Sequence, residues 1–379
     1  MKAETRSGPA GLAEVRRFVD LEIAPHANTF ERAERIPREV LSRVAELGLW
    51  APFLPSEFGG AAMDMVTLGR VHEEVGRGCS SLRSLLTVHT MISASVHRWG
   101  DQAQQEKWLQ ALARGEKLGA FCLTEPDRSG SDATAEGTTA VRDQDGWILN
   151  GTKKWITGGQ VADLFMVFAS TGGGMSTFLV EADQPGVRVT PLPHVSGTTA
   201  SMLAQIEFTD VRLEPSALLG PQGWAAGTVM TNALGLGRYS VACGAVGIIQ
   251  AAIEACAAYT TARSAGGVQL RDLPHVRQMM SGMVTARDAG RLLCERAGAL
   301  NDAGDPATIM ATWVAKYHAS RAAVQAAGDA VQIHGANGFS PDYPVARLYR
   351  DSKVTEVIEG STQVQELTIA AEAYREVAQ

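Results

Sequence analysis

Apolar residues recur at helical spacing from about Leu12 to Arg114, as in Val40-Leu41, Val44-Ala45 and Leu47-Leu49, with glycine and proline confined to connections. This part is predicted to be helical. From Gly119 to about Gly220 the pattern becomes alternating or β-branched: Trp147-Ile148-Leu149, Leu164 to Phe168, Phe178-Leu179-Val180, Val187-Arg188-Val189 and Ile206-Glu207-Phe208. Turn signals at Asp145-Gly146, Asn150-Gly151 and Pro185-Gly186 punctuate it, so a small antiparallel β domain is expected. After Trp224, alanine-rich helical patterns return at Tyr239 to Arg263, His275 to Leu300 and Ala307 to His334, with a last segment from Gln363 to Val377. The order is helices, sheet, helices, an α+β chain expected to divide at residues 1–118, 119–222 and 223–379. No internal repeat or low-complexity linker interrupts it.

Composition narrows the class. At 379 residues the chain can bury an ample core, and 45% hydrophobic with 20% charged residues is ordinary globular usage. A net charge of -7 argues against a nucleic-acid surface. The five cysteines form no CxxC pair, so free thiols in a reducing compartment are expected. The N-terminus is charged from Lys2 onward without an apolar signal core, and no run approaches the roughly 18 apolar residues of a membrane span. A cytoplasmic location is the expectation. The eight histidines show no metal-ligand spacing, and neither a Walker loop nor a GxGxxG follows a strand.

The chemistry gathers in three segments. In Val357-Ile358-Glu359-Gly360-Ser361-Thr362-Gln363 a carboxylate stands beside a glycine that lets backbone approach a ligand, and Ser361 or Thr362 can cap the following helix. Taken alone, this segment reads as an ordinary capped helix with a solvated glutamate, and only the upstream segments argue otherwise. Upstream lie Phe121-Cys122-Leu123-Thr124-Glu125-Pro126 with Ser129-Gly130-Ser131-Asp132, and Gly151-Thr152-Lys153-Lys154-Trp155-Ile156-Thr157-Gly158-Gly159. A tryptophan and a threonine on one extended segment offer a flat ring its stacking partner and a hydrogen bond. Small residues around Ser131 let N–H groups approach phosphate.

Together these segments resemble the acyl-CoA dehydrogenase family, flavoenzymes that oxidise acyl thioesters. The resemblance extends nearly end to end. It includes Glu46-Leu47-Gly48-Leu49 and Pro55 to Gly60 near the start, and Gln332-Ile333-His334-Gly335 with Asp342-Tyr343-Pro344-Val345 near the end. It implies a helical domain, a β-barrel domain and a C-terminal four-helix bundle, with FAD as cofactor. By resemblance, Cys122, Thr124, Ser131, Trp155, Thr157, Arg263, Gln332, Ser361 and Gln363 serve the flavin, Arg263 reaching that of a neighbouring subunit. Glu359 matches the base that takes the thioester α-proton, while Arg83, Ser131, Arg238 and Gly360 fall to the substrate. A homodimer or homotetramer, and electron transfer to an electron-transfer flavoprotein or oxygen, are implied as well.

Departures from the family pattern carry information of their own. The aromatic expected three residues after Arg263 is Gly266, the next glutamine is Pro274, and the second glycine after Gln332 is Ala336, which thins the grip on the adenine end. Asp127-Arg128-Ser129 lengthens the phosphate loop by a residue. Some relatives carry the base just before the arginine matching Arg238; here that position is Gly237, so Glu359 has no competitor there.

Arg83 is unusual where the family's helix is apolar. Glutaryl-CoA dehydrogenases hold a distal carboxylate from the matching place, and the segment also resembles that of acyl-ACP dehydrogenases in polyketide extender-unit pathways. The expected substrate is therefore a short polar acyl group on an acyl carrier protein or coenzyme A. An ordinary short-chain acyl-CoA dehydrogenase with Arg83 facing outward, a dicarboxylyl acyl-CoA dehydrogenase, a flavin monooxygenase, and a non-catalytic binding protein of this fold stand as alternatives.

Overall fold

The computed structural model describes residues 10–128 and 137–378. The N-terminal part holds α1 (Leu12–Phe18), α2 (Ala27–Arg32), α3 (Arg38–Glu46), α4 (Met65–Gly78), α5 (Ser80–Trp99) and α6 (Gln102–Ala113). Asp101 caps α6 through a complete capping box with Gln104, and Asp64 accepts from Thr67 N–H at the start of α4.

The middle sheet comprises β1 (Gly119–Cys122), β2 (Thr139–Asp143), β3 (Gly146–Ile156), β4 (Leu164–Ser170), β5 (Met175–Glu181), β6 (Val187–Pro191), β7 (Ala204–Leu213) and β8 (Leu218–Leu219). Its order is β6-β7-β3-β2-β4-β5-β8, with β1 alongside β4. Most pairings are antiparallel, but β1 and one residue of β2 run parallel to β4, which alternation along the strands does not signal. Asn150-Gly151 is no turn: it lies inside β3, where the register against β7 slips. A second slip between Lys153 and Ile156 leaves Trp155 at φ +62°.

The C-terminal part holds α7 (Val229–Ala262), the hairpin β9 (Ser264–Ala265) and β10 (Val268–Gln269), α8 (Pro274–Asp302), α9 (Thr308–His334), α10 (Val345–Val357) and α11 (Thr362–Ala378). The central helix is α7, packed against α4, α5, α8, α9 and α10. Its most apolar stretch reaches a mean hydropathy of 1.8, long and apolar enough by composition to cross a membrane, contrary to the sequence expectation. Here that apolarity faces the bundle: Ala245, Ile248, Ile249 and Ala252 share a core with Ala315, Ala319, Ala323 and Ala327 of α9. Small side chains let the axes come close. A Cβ on Gly76 of α4 would lie 2.8 Å from the Cα of Gly244 on α7.

Candidate active site

Glu359 sits in the turn between α10 and α11 with φ +56°, followed by Gly360 at φ +92°. A glutamate in that region costs about 1–3 kcal/mol, so the turn needs external bracing. Three side chains supply it. Arg238 Nε donates to the Glu359 carbonyl at 3.0 Å, while Lys316 Nζ and Gln365 Nε2 both donate to the Gly360 carbonyl, at 2.8 and 2.7 Å. Arg238 is itself held over Trp313, 4.1 Å from the ring centroid. The Val364 N–H reaches Ser361 Oγ at 3.5 Å, so Ser361 is a long, weak cap for α11.

The braced turn aims the carboxylate at α7. A Cβ on Gly237 would lie 2.3 Å from Glu359 Oε2, so glycine at that position makes the space the carboxylate fills. Glu359 as a residue is half-buried, yet its Oε2 is sealed from solvent and has no hydrogen-bond partner among the described residues. Burial pushes its pKa up to about 7, against the pull of Arg238, Lys316 and Arg83. A carboxyl poised there can take up and release a proton near neutrality.

Arg83 enters the same cavity from α5 and is 1% exposed, which overturns the outward-facing alternative. Among the described residues its guanidinium donates only to hydroxyls, Thr87 Oγ1 at 3.0 Å and Ser84 Oγ at 2.9 Å, and its Nε has no partner. Thr87 Oγ1 in turn lies 2.6 Å from Ser240 Oγ, which lies 3.0 Å from His72 Nδ1. Burial lowers the Arg83 pKa to about 10, with Glu359 and Asp351 opposing the shift. Gly244 admits its stem, since a Cβ there would lie 2.6 Å from Arg83 Cδ. Gly237, Ser240 and Gly244 follow each other at three- and four-residue steps, so one face of α7 receives both charged side chains.

At the sheet end of the cavity stand Thr124, Trp155 and Thr157. A buried ion pair between Lys153 Nζ and Glu125 Oε1 at 2.8 Å, with Lys153 also donating to the Leu123 carbonyl, locks the β1 exit against β3. Lys154 N–H donates to the Thr124 carbonyl, which seats Thr124 beside Trp155. Trp155 is 53% exposed and so presents an open ring face.

Other expected site residues lie elsewhere. The Cys122 thiol is fully buried in the sheet core, its pKa raised by burial, so only its backbone can serve a ligand. Gln363 is exposed on α11, and Ser131 lies outside the described residues. Arg263 and the exposed Gln332 are at the far ends of α7 and α9, away from this cavity, with the Arg263 guanidinium 5.1 Å from the Tyr259 ring centroid. The Gly266 substitution has a local reason: Gly266 and Gly267 both have positive φ, the two-residue turn that joins β9 to β10. Lys316 and Trp313 went unpredicted, although a lysine flanked by the apolar α9 face at Ala315 and Ala319 was a visible anomaly.

The cavity measures about 1720 Å³, larger than the roughly 300–1,000 Å³ of a single-ligand pocket, and its two ends differ in kind. An exposed indole with two threonines at one end suits a flat cofactor ring. At the other, Glu359 and Arg83 line the space left for a second ligand. Models of the acyl-CoA dehydrogenase N-terminal, middle and C-terminal domains match residues 10–116, 120–211 and 222–374 in that order. The chain belongs to the acyl-CoA dehydrogenase family. This family comprises FAD-dependent oxidoreductases, and the Trp155 end of the cavity fits that cofactor.

Among its relatives, the rat (Rattus norvegicus) mitochondrial short-chain specific acyl-CoA dehydrogenase is 35% identical, covering 95% of this chain and 88% of the relative. A glutaryl-CoA dehydrogenase solved with glutaryl-CoA superposes with a TM-score of 0.92 at 32% identity, covering 96% of this chain and 94% of that one. FkbI, described for biosynthesis of the methoxymalonyl extender unit of a polyketide, gives a TM-score of 0.88 at 31% identity, covering 96% and 99%.

Proposed function

We propose that this acyl-CoA dehydrogenase family member oxidises a short acyl thioester whose acyl end is polar or anionic, with Glu359 as the base. The observation that carries the reading is Arg83, a fully buried side chain lining the cavity whose guanidinium donates, among the described residues, only to neutral hydroxyls. A buried cation is strongly destabilising unless matched, so an acyl end bearing a hydroxyl or carboxylate oxygen that can accept from it suits it better than an alkyl tail.

The Glu359 carboxylate takes the α-proton, and the Glu359 N–H is offered to the thioester carbonyl as charge develops on it. Thr124, Trp155 and Thr157 would hold the ring of FAD, which would supply the acceptor for the β-hydrogen and its electron pair. Arg238 fixes the turn and, with Arg83, keeps the carboxylate ionisable. Arg263 and Gln332, remote from this cavity, are read as reaching the FAD of a neighbouring subunit in a homodimer or homotetramer. Electrons leave to an electron-transfer flavoprotein or to oxygen.

For the carrier, likeness to FkbI supports an acyl carrier protein, and likeness to the rat and glutaryl-CoA enzymes supports coenzyme A. A second reading, an ordinary short-chain acyl-CoA dehydrogenase, is favoured by the 35% identity to the rat enzyme.

The test is anaerobic bleaching of the flavin by an added acyl thioester. Glu359→Gln is nearly isosteric, so it should stay yellow and folded while bleaching slows at least about 10²-fold. Bleaching of this variant at an undiminished rate would place the base elsewhere.

A further inference from the structure

Lys316 serves neither the acyl-end nor the cofactor reading, yet it is one of the largest fully buried side chains in the molecule. It projects from α9 among alanines, and its Nζ donates to a backbone carbonyl, that of Gly360, instead of pairing with a carboxylate. That carbonyl belongs to the residue after Glu359 and also accepts from Gln365, while the Glu359 carbonyl accepts from Arg238. The turn that carries the base thus hangs on two cations from two different helices. Burying an ammonium is expensive, and a neutral glutamine or serine could donate to Gly360 at lower cost. The charge therefore calls for a reason beyond the hydrogen bond.

We infer that Lys316 is a positioning residue for the reaction: its ammonium fixes the Glu359–Gly360 turn and supplies positive charge that keeps the Glu359 carboxylate ionised for proton abstraction. This rests on the reading of Glu359 as the base. The charged groups facing Glu359 are Arg238 from α7, Lys316 from α9 and Arg83 from α5; Glu356 of α10 also acts on Lys316. Lys316 is lowered to about 7, mainly by burial, with Glu359 opposing and Arg238 adding to the shift, while Glu359 is raised to about 7. Two neighbours titrating in one range exchange protons as a pair, so the acid side of the rate profile belongs to both. Removing the ammonium leaves Glu359 with less stabilisation of its anion. Its ionisation, and with it the rate, then moves to higher pH.

The experiment measures anaerobic flavin reduction by a saturating acyl thioester across the neutral and alkaline range, together with FAD content and thermal midpoint. Lys316→Met keeps the stem and removes charge and donor; Lys316→Gln keeps a donor and removes only the charge; Lys316→Arg keeps both. The acid midpoint of the rate should rise by about one pH unit or more in the Met and Gln variants, as expected for loss of a nearby opposite charge. In the Arg variant it should stay near the wild type. A Met or Gln variant with a lowered thermal midpoint but an unmoved acid midpoint would make Lys316 a structural prop only and overturn the inference. Should the Met variant fail to fold, the Gln variant decides alone. Undiminished reduction in Glu359→Gln would instead sink the base assignment, an outcome separable from any Lys316 result.

Discussion

Gly237→Ala should separate catalysis from stability. The added Cβ would stand 2.3 Å from Glu359 Oε2 and 2.5 Å from its Cδ, on the fixed backbone of a long helix. An ordinary carbon–oxygen contact is about 3.5 Å, so the carboxylate must move by roughly 1 Å, and it is the flexible end of a side chain that yields. Displacement of a reacting group by about 1 Å costs on the order of 10²-fold in rate. Stability changes the other way, since alanine inside a helix is favoured over glycine by about 0.5–1 kcal/mol. The assay pairs anaerobic flavin bleaching with thermal unfolding: the rate should fall about 10²-fold while the midpoint holds or rises. An unchanged rate would mean the carboxylate does not occupy this space, and a large drop in midpoint would mean the helix itself gave way.

Two further outcomes are expected. Flavin reduction should increase with pH through about 7, because Glu359, as the proposed base, must be ionised to act and its pKa is raised to that value by burial; a rate already at its plateau well below this would show the carboxylate to be more hydrated than here. Gly266→Phe, which would restore the family aromatic, should fail to tighten FAD, since a side chain at φ +57° is strained by about 1–2 kcal/mol and would disrupt the β9–β10 turn; stronger FAD retention without loss of thermal midpoint would refute this.

Periodicity in the sequence locates the long helices and most strands because each buries one continuous face, as α9 does through its alanines. It does not separate a turn from a slip in register, which is why Asn150-Gly151 reads as a turn yet lies inside β3. Motifs likewise bring Glu359, Arg238, Thr124, Trp155 and Thr157 to one cavity, since their spacing in the chain is tied to their backbone geometry. What stays hidden depends on approach between distant helices. The bond from Lys316 to Gly360, the space at Gly237 and the link from Thr87 to Ser240 and His72 join segments whose contact no local pattern encodes. The Cys122 thiol misleads for a related reason: neighbours of a motif share its strand but point alternately to the ligand and to the core.

In the proposed function Arg83 decides the substrate class, and one comparison tests it. Anaerobic flavin reduction is measured with butyryl, glutaryl and glyceryl thioesters, each on coenzyme A and on an acyl carrier protein, for wild type and Arg83→Leu. The buried, cavity-facing guanidinium predicts that wild type prefers the glutaryl or glyceryl thioester and that the leucine variant reverses the order, with little change in flavin content. Fastest reduction by the butyryl thioester in both proteins would contradict the account and leave an ordinary short-chain acyl-CoA dehydrogenase.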